Sequence, residues 1–508
     1  MASPTQYFPV YFAPDKDPSW TVNPGVLIDL TNFVPSKRNT LKTWQADHTT
    51  AVYGSAPIDD LTDGTLLAGA IFKSSASSAR FILGTTKQIF EKASASSGYT
   101  SRKTLSADAP DMCFTTFGND IIAVSKTNNP QVSTSTTFSD LGGTPPKAFC
   151  CTTQKNFVIL GDTNDGVNDL GDQVWWSGIG NDATWTPSAS TQAGNLRLRD
   201  TPGAIKGLVN LRDAVAVYKQ DSIYILDYQG SPLLWTARLV SDRVGCASPN
   251  GVAVVNGIHY FMHRTGVYRF DGASVQPIGD SVNRYLFDKM VTQANYQTAQ
   301  AIYDEYEGLV VWFFKTNGSA AGNRNYGLAY NVQTNSFGFI NGAWTSPGDG
   351  TGLGTCYGVI KATLGDIYAW DSTLGANLSN IITFGGVSGT GVGELRSPAI
   401  GTAGYPSGGL TVTTGDIGDE INKTQLTMVK PHHLAAHAGG DANSSGMYAY
   451  YKNSGSETYS PSVVFDWSTT TRRFQGDVNA RYLRLLVPTY RYGELAGLHI
   501  TARNAGSE

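Results

Sequence analysis

The sequence predicts an all-β chain: a β-propeller of about six or seven irregular four-stranded blades, with an additional β-sandwich-like region at the carboxy-terminal end. Three observations lead there. One short phrase recurs, as Ile223-Tyr224-Ile225-Leu226-Asp227, Val267-Tyr268-Arg269-Phe270-Asp271 and Ile367-Tyr368-Ala369-Trp370-Asp371. Each copy alternates side chains, is rich in apolar and aromatic residues, and ends in an Asp turn, as a half-buried strand does. Related phrases begin at Ile89, Val132, Val174, Ile223, Val267, Leu328 and Ile367, separated by 43, 42, 49, 44, 61 and 39 positions. A strand-borne period in that range marks a propeller blade. The composition agrees: of 508 residues only 15% are charged, 11% are aromatic and 56 are Gly, which favours short strands and tight turns over helices.

In chain order, residues 1–60 are rich in Pro and Asp and read as an irregular amino-terminal arm, able to close the last blade or to reach a neighbour. Residues 61–375 read as the propeller. Its clearest blade spans 251–279: Val252 to Val255, the Asn256-Gly257 turn, Ile258 to Met262, then Val267 to Phe270, Asp271-Gly272 and Val275 to Ile278. Asn-Gly and Asp-Gly accept the positive φ that tight hairpins need. The preceding blade reads as Leu208-Val209, Ala214 to Tyr218, Ile223 to Asp227 and Trp235 to Leu239. The longest interval is explained by a Gly/Ser/Asn-rich insertion at Thr316 to Asn325. The best helical candidate is a short segment within Ser281 to Gln300. Residues 376–410 read as a Gly-rich connection. Residues 411–508 read as a β-rich domain or an embellished last blade, with strands at Thr424 to Lys430, Met447 to Lys452, Val463 to Asp466, Tyr482 to Val487 and Leu498 to Ala502.

The net charge of −4 gives no global basic signal for nucleic-acid binding. Met1 to Val10 lacks a basic stretch followed by an apolar one and reads as no secretory signal. The longest apolar run, Leu309 to Phe314, is far short of a membrane-spanning segment. Cys113, Cys150, Cys151, Cys246 and Cys356 lack metal-ligand spacing and read as reduced core residues.

Four places have the residue types that chemistry uses. Asp162, Asp165, Asp169 and Asp172 have the oxygen density of a Ca²⁺ loop, but Gly166 is out of register and no Glu closes the loop; a polar hairpin loop is the simpler reading. Ser177 to Trp185 resembles an Asp-box turn out of register. Asp304, Glu305 and Glu307 are the carboxylates a glycosidase would need, yet as a loop run they read as a solvated turn. His432, His433 and His437 include an i, i+4 pair, but the stretch follows a Pro in an Ala/Gly-rich segment, so surface histidines are expected. No catalytic, cofactor-binding or metal residues are therefore assigned, and no cofactor or enzymatic activity is expected.

One further set of residues is more specific. Ser241-Asp242-Arg243-Val244-Gly245-Cys246-Ala247-Ser248-Pro249 lies between the two best blades. It is followed by Thr265-Gly266-Val267-Tyr268 and Phe270-Asp271-Gly272, and preceded by Trp175-Trp176-Ser177 to Trp185. Together with Asn32-Phe33-Val34-Pro35 before Lys37-Arg38, and Arg481-Tyr482-Leu483-Arg484 after Thr413 to Glu420, these phrases resemble the tail hub, or nozzle, proteins of short-tailed bacteriophages. The resemblance is strongest over 174–280. It implies a virion structural protein of the tail, assembled in the bacterial host cytoplasm. Such a protein forms a ring, expected as a homo-hexamer, below the portal–adaptor ring. It would extend the DNA channel with transient, non-specific contact to double-stranded DNA, help retain and then release the genome, and dock tail fibres or spikes. The alternative is a carbohydrate-active or carbohydrate-binding propeller of the tailspike or sialidase-like kind.

Overall fold

A computed structural model describes residues 5–43, 47–48, 66–75, 78–92, 99–246, 248, 250–289, 297, 299–304, 307–314, 326–341, 344–345, 352–354, 356–361, 380–385, 392–397, 405–406, 411–436, 446–459, 462–468, 470–488 and 493–506. Strands dominate; the helix among the described residues is the short Asn283–Lys289, inside the segment read as helical. No helix among these residues is long and apolar enough to cross a membrane.

Successive antiparallel meanders are arranged as blades. Blade 1 is Leu66–Ser75, Ser78–Thr85, Gln88–Lys92 and Tyr99–Thr104; blade 2 is Cys113–Phe117, Asp120–Val124, Gln131–Ser133 and Ser139–Asp140. Blade 3 is Lys147–Gln154, Phe157–Asn164, Asp169–Trp176 and Gly194–Arg197; blade 4 is Ile205–Leu211, Ala214–Lys219, Ile223–Gly230 and Leu234–Ser241. Blade 5 is Ala253–Val255, Ile258–His263, Gly266–Phe270 and Val275–Pro277; blade 6 is Gln300–Asp304, Leu309–Phe314, Tyr326–Asn331 and Ser336–Asn341. The phrases beginning at Ile89, Val132, Val174, Ile223, Val267 and Leu328 all lie in third strands. The Ile367 phrase and the Thr316–Asn325 insertion lie outside the described residues.

The tight turns follow from local chemistry. Asn256 (φ 51°) and Gly257 (φ 74°) form a two-residue loop between Val255 and its partner Ile258. Lys155 (φ 49°) and Asn156 (φ 59°) do the same between Gln154 and Phe157. Positive φ at both central residues matches the right-handed strand twist.

Continuous apolar runs are explained by burial on both faces. In blade 3, Val158 and Leu160 pack with Ile122 and Val124 of blade 2, whereas Phe157 and Ile159 pack with Val215 and Val217 of blade 4. In blade 4 the alternate residues Ala216 and Tyr218 turn to Phe261 and Phe270 of blade 5. A period of two with both sides covered makes every position apolar. A polar link crosses between blades as well: within blade 1, Glu91 accepts from both Arg80 (2.6 Å) and Arg102 (2.9 Å), and Arg80 reaches Ser133 of blade 2 at 3.0 Å.

The first strands of successive blades pack on one another between blades 1, 2, 3 and 4 and between blades 5 and 6. Cys356–Lys361 then runs parallel to the first strand of blade 1, with Ile360 opposite Gly69. It is followed outward by Asn380–Gly385, Val392–Ser397 and, from the amino-terminal region, Asp47–His48, whose His48 pairs with Leu395. These strands make a seventh blade. Two of them fall within 376–410, the stretch read from sequence as a connection.

The carboxy-terminal region is a sandwich of two sheets. One contains Thr5–Pro9, Gly493–Asn504, Thr424–Ala436 and Arg473–Ala480; the other contains Tyr11–Phe12, Val26–Thr31, Thr411–Thr414, Tyr482–Pro488 and Met447–Lys452. Ser462–Ser468 pairs into both. Residues 5–43, read within an irregular arm, thus form strands with buried Val26, Leu27 and Phe33. Phe33–Pro35 pairs with blade 6 through Phe339, and Leu41–Thr43 pairs with Gly493–Asn504 of the sandwich.

One interblade contact contains a titratable ring. The buried His263 ring of blade 5 meets Thr265 Oγ1 at 2.7 Å, and its Nε2 meets Asp221 of blade 4 at 2.9 Å. Burial holds the imidazole below its usual value, outweighing the opposing pull of Asp221. The unfolded chain takes up this proton near about pH 6.5, before the folded protein does, so the stabilisation is full above that value and declines as pH falls. Thermal melts from about pH 7 to 5 are expected to show a shallower acid-side decline for His263→Gln than for the wild type. An unchanged slope would show that this ring is not a titrating contributor.

Candidate functional site

Of the four aspartates in the Gly161–Asp172 stretch, two converge, on a lysine of blade 2, and the other two bind elsewhere. Asp162 occupies a bulge between Gly161 and Thr163 at φ 55° and is buried. Its carboxylate binds Lys126 of blade 2, whose ammonium also reaches Asp169 at 2.6 Å. Burial pushes the Asp162 carboxyl up while Lys126 pulls it down. Asp165 accepts from the backbone N–H groups of Val167 (2.9 Å) and Asn168 (2.7 Å), which hold its carboxyl below the usual range. Asp172 pairs with Arg197 at 2.6 Å. These partners make the stretch a hairpin loop tied to blade 2.

Ser177 to Trp185 is also structural. Gly178 N–H donates to Thr184 O at 2.7 Å, and the buried Trp185 indole donates to Asp182 O at 2.6 Å. Trp175 donates to Trp185 O at 3.0 Å, so the loop seals the space between blades 2 and 3. Of the Asp304, Glu305 and Glu307 run, Asp304 ends a blade-6 strand, Glu305 lies outside the described residues, and Glu307 pairs with Lys42 at 2.6 Å.

Cys150 and Cys151 face opposite sides of their strand, toward blades 4 and 2 respectively. Burial pushes both thiols well up, which keeps them protonated and poorly nucleophilic. Cys113 Sγ donates to Cys151 O at 3.5 Å, Cys246 Sγ donates to Ser248 O at 3.4 Å, and Cys356 opens a strand of blade 7.

His437 lies outside the described residues, and His432 and His433 alternate along Thr424–Ala436. Burial, with a contribution from His432, pushes His433 down to about 4. The imidazole facing His432 is His499, from Gly493–Asn504, with His432 Nδ1 and His499 Nε2 3.4 Å apart. The sequence reading missed His499. Its only signal is the strand register, which places Lys430 opposite His499 and His432 opposite Gly497. Among the described residues, no group of three or more His, Cys, Asp or Glu is placed to hold a metal ion.

In the Ser241–Pro249 phrase, Ser241, Val244, Gly245, Cys246 and Ser248 have structural tasks. Ser241 Oγ accepts from Val244 N–H at 3.1 Å. Gly245 lies so close to the Lys219–Ser222 turn that a Cβ there would sit 2.2 Å from Lys219 O. Cys246 N–H donates to Lys219 O at 2.9 Å, its thiol lies in the blade 4–blade 5 core, and Ser248 Oγ donates to Ala299 O beside blade 6. The turn it braces carries Lys219, a buried lysine whose ammonium donates to Leu198 O (2.6 Å) and Thr201 O (2.7 Å). Burial holds that amine below its usual value.

The outer face of the sandwich presents an apolar row. Leu486, Tyr448 and Val464 lie opposite one another on three adjacent strands, and Tyr450 stacks beside Tyr448 at 6.4 Å. Tyr448 and Val464 are 39% and 49% exposed, enough to offer contact area to a partner. Nearby, Arg484 pairs with Asp416 at 2.5 Å and its guanidinium lies over Tyr459 at 4.2 Å. Nothing in these arrangements aims an acid and a base at a common point. No protein-family model matches the chain, and no curated protein matches its sequence.

Proposed function

We propose that this chain is a virion structural protein of a short-tailed bacteriophage. It forms a hexameric ring, the tail hub or nozzle, below the portal–adaptor. There it extends the DNA channel, helps to retain and then release the genome, and docks fibres or spikes. The observation that carries the reading is the Ser241–Pro249 phrase. Its described residues brace blades 4, 5 and 6 against one another, so what the chain has in common with hub proteins is a scaffold signature. Two supports are independent of it. The subunit has two unlike parts, and a head-to-tail ring needs two different complementary patches. The apolar row on the sandwich is a surface of the kind that subunit contacts cover. The carbohydrate-active alternative has less support, because Asp162, Asp172 and Glu307 are engaged by Lys126, Arg197 and Lys42.

The test is electron microscopy of the purified full chain, alone and mixed with a purified portal–adaptor complex. A channelled ring, formed alone or on that complex, is the expected result. A protein that remains monomeric, ignores the complex and cleaves host surface polysaccharide would overturn the reading.

A further inference from the structure

We propose that His432 and His499 form a cross-strand bis-imidazole site for a nitrogen-preferring divalent transition metal, the class of Zn²⁺ and Ni²⁺. The proposal does not depend on what the chain assembles into. His432 and His499 are diagonal neighbours on adjacent antiparallel strands, so their rings project from the same face. His432 Nδ1 and His499 Nε2 face each other at 3.4 Å, with ring centroids 5.3 Å apart and planes at 72°. That separation is long for a hydrogen bond. It matches two nitrogens bound at 2.0–2.1 Å to one tetrahedral ion, which are about 3.3 Å apart.

The rings are held in place. Tyr7, from the third strand in the row, packs its ring 5.0 Å from His499 and 5.4 Å from His432, and its hydroxyl donates to Ala496 O at 3.2 Å. Gly497 leaves the space for this: a Cβ there would meet Phe8 O at 2.4 Å and the Tyr7 ring at 2.5 Å. Such support pre-orients ligands before the ion arrives. Two protein nitrogens leave the remaining positions to water or to a donor from elsewhere. Lys430, directly opposite His499, adds a positive charge nearby and places the affinity in a moderate range. A bound ion would tie Thr424–Ala436 to Gly493–Asn504, two strands far apart in sequence, in the folded state only.

Isothermal titration calorimetry of the full chain with NiCl₂ or ZnCl₂ tests this, using wild type, His432→Gln, His499→Gln and the neighbouring control His433→Gln. Wild type is expected to bind a single equivalent. Binding should weaken by about 100-fold or more in His432→Gln and in His499→Gln, and by less than about tenfold in His433→Gln. Melts in chelator report whether each variant is folded, and wild type should gain a metal-dependent rise in Tm. A readout needing no variant is the Cu²⁺ paramagnetic spectrum of the wild type, which should show splitting from two imidazole nitrogens. Absence of binding to wild type, wild-type affinity in a folded His432→Gln or His499→Gln, or one-nitrogen splitting would each overturn the proposal.

Discussion

Gly245→Ala is expected to destabilise the protein by at least about 3 kcal/mol and to cut its soluble yield sharply. The added Cβ would lie 2.2 Å from Lys219 O, 2.6 Å from Ser222 N and 2.9 Å from the Gln220 carbonyl carbon. All three are backbone atoms, so no side-chain rotation relieves the clash. The turn that would have to yield is fixed from several sides. Lys219 N–H donates to Ser222 O at 2.9 Å, Lys219 O accepts from Cys246, and the Lys219 ammonium is anchored on Leu198 O and Thr201 O. Moving it would strand a buried amine and open the core between blades 4 and 5, where Tyr218, Ile223 and Cys246 pack. Gly142→Ala is the matched control, since its Cβ would meet only the Ala183 methyl, at an ordinary 3.4 Å. Urea titrations of the two variants should differ by that margin in unfolding free energy. Equal midpoints would show that the close approach at Gly245 does not exist.

How much of this was legible in the sequence depended on how local each interaction is. The blades were legible because their information is short-range: alternation within strands, and turn residues such as Asn256-Gly257 that tolerate positive φ. The aspartate-rich loop was half legible. Its hairpin character could be read, but the cation that occupies Asp162 and Asp169 is Lys126, one blade away. The histidine pair was not legible. His432 meets His499 only because two strands share a particular register, and the stretch read as a loop of surface histidines after Lys430 instead continues the strand to Ala436. The amino-terminal region was the least legible. Its strands are short, carry Pro, and find partners hundreds of residues downstream, as Thr5 does at Thr501 and Leu27 at Thr414.

That last point predicts a large effect. A chain lacking residues 1–43 is expected not to fold cooperatively. The deletion removes Val26–Thr31, a strand that pairs with both Tyr11–Phe12 and Thr411–Thr414, and with it Trp20, Leu27, Leu30 and Phe33, all buried in the core continuous with blades 5 and 6. Each such side chain contributes about 1.5–3 kcal/mol by burial, so the loss of these four alone, about 6–12 kcal/mol, is as large as the roughly 5–15 kcal/mol by which domains are stable. Removing only residues 1–9 takes away the edge strand Thr5–Pro9, whose side chains are largely exposed, and a soluble, modestly destabilised protein is expected. Size-exclusion chromatography and thermal melts of the two truncations separate these cases. An arm that merely reached onto a neighbouring subunit would behave in the opposite way: the chain lacking 1–43 would remain a monomer with a wild-type melt and would fail only at assembly. A stitch through the sandwich and blade 6 fails earlier, within the single subunit, because Phe33–Pro35 and Leu41–Thr43 carry the hydrogen-bonded connection between them.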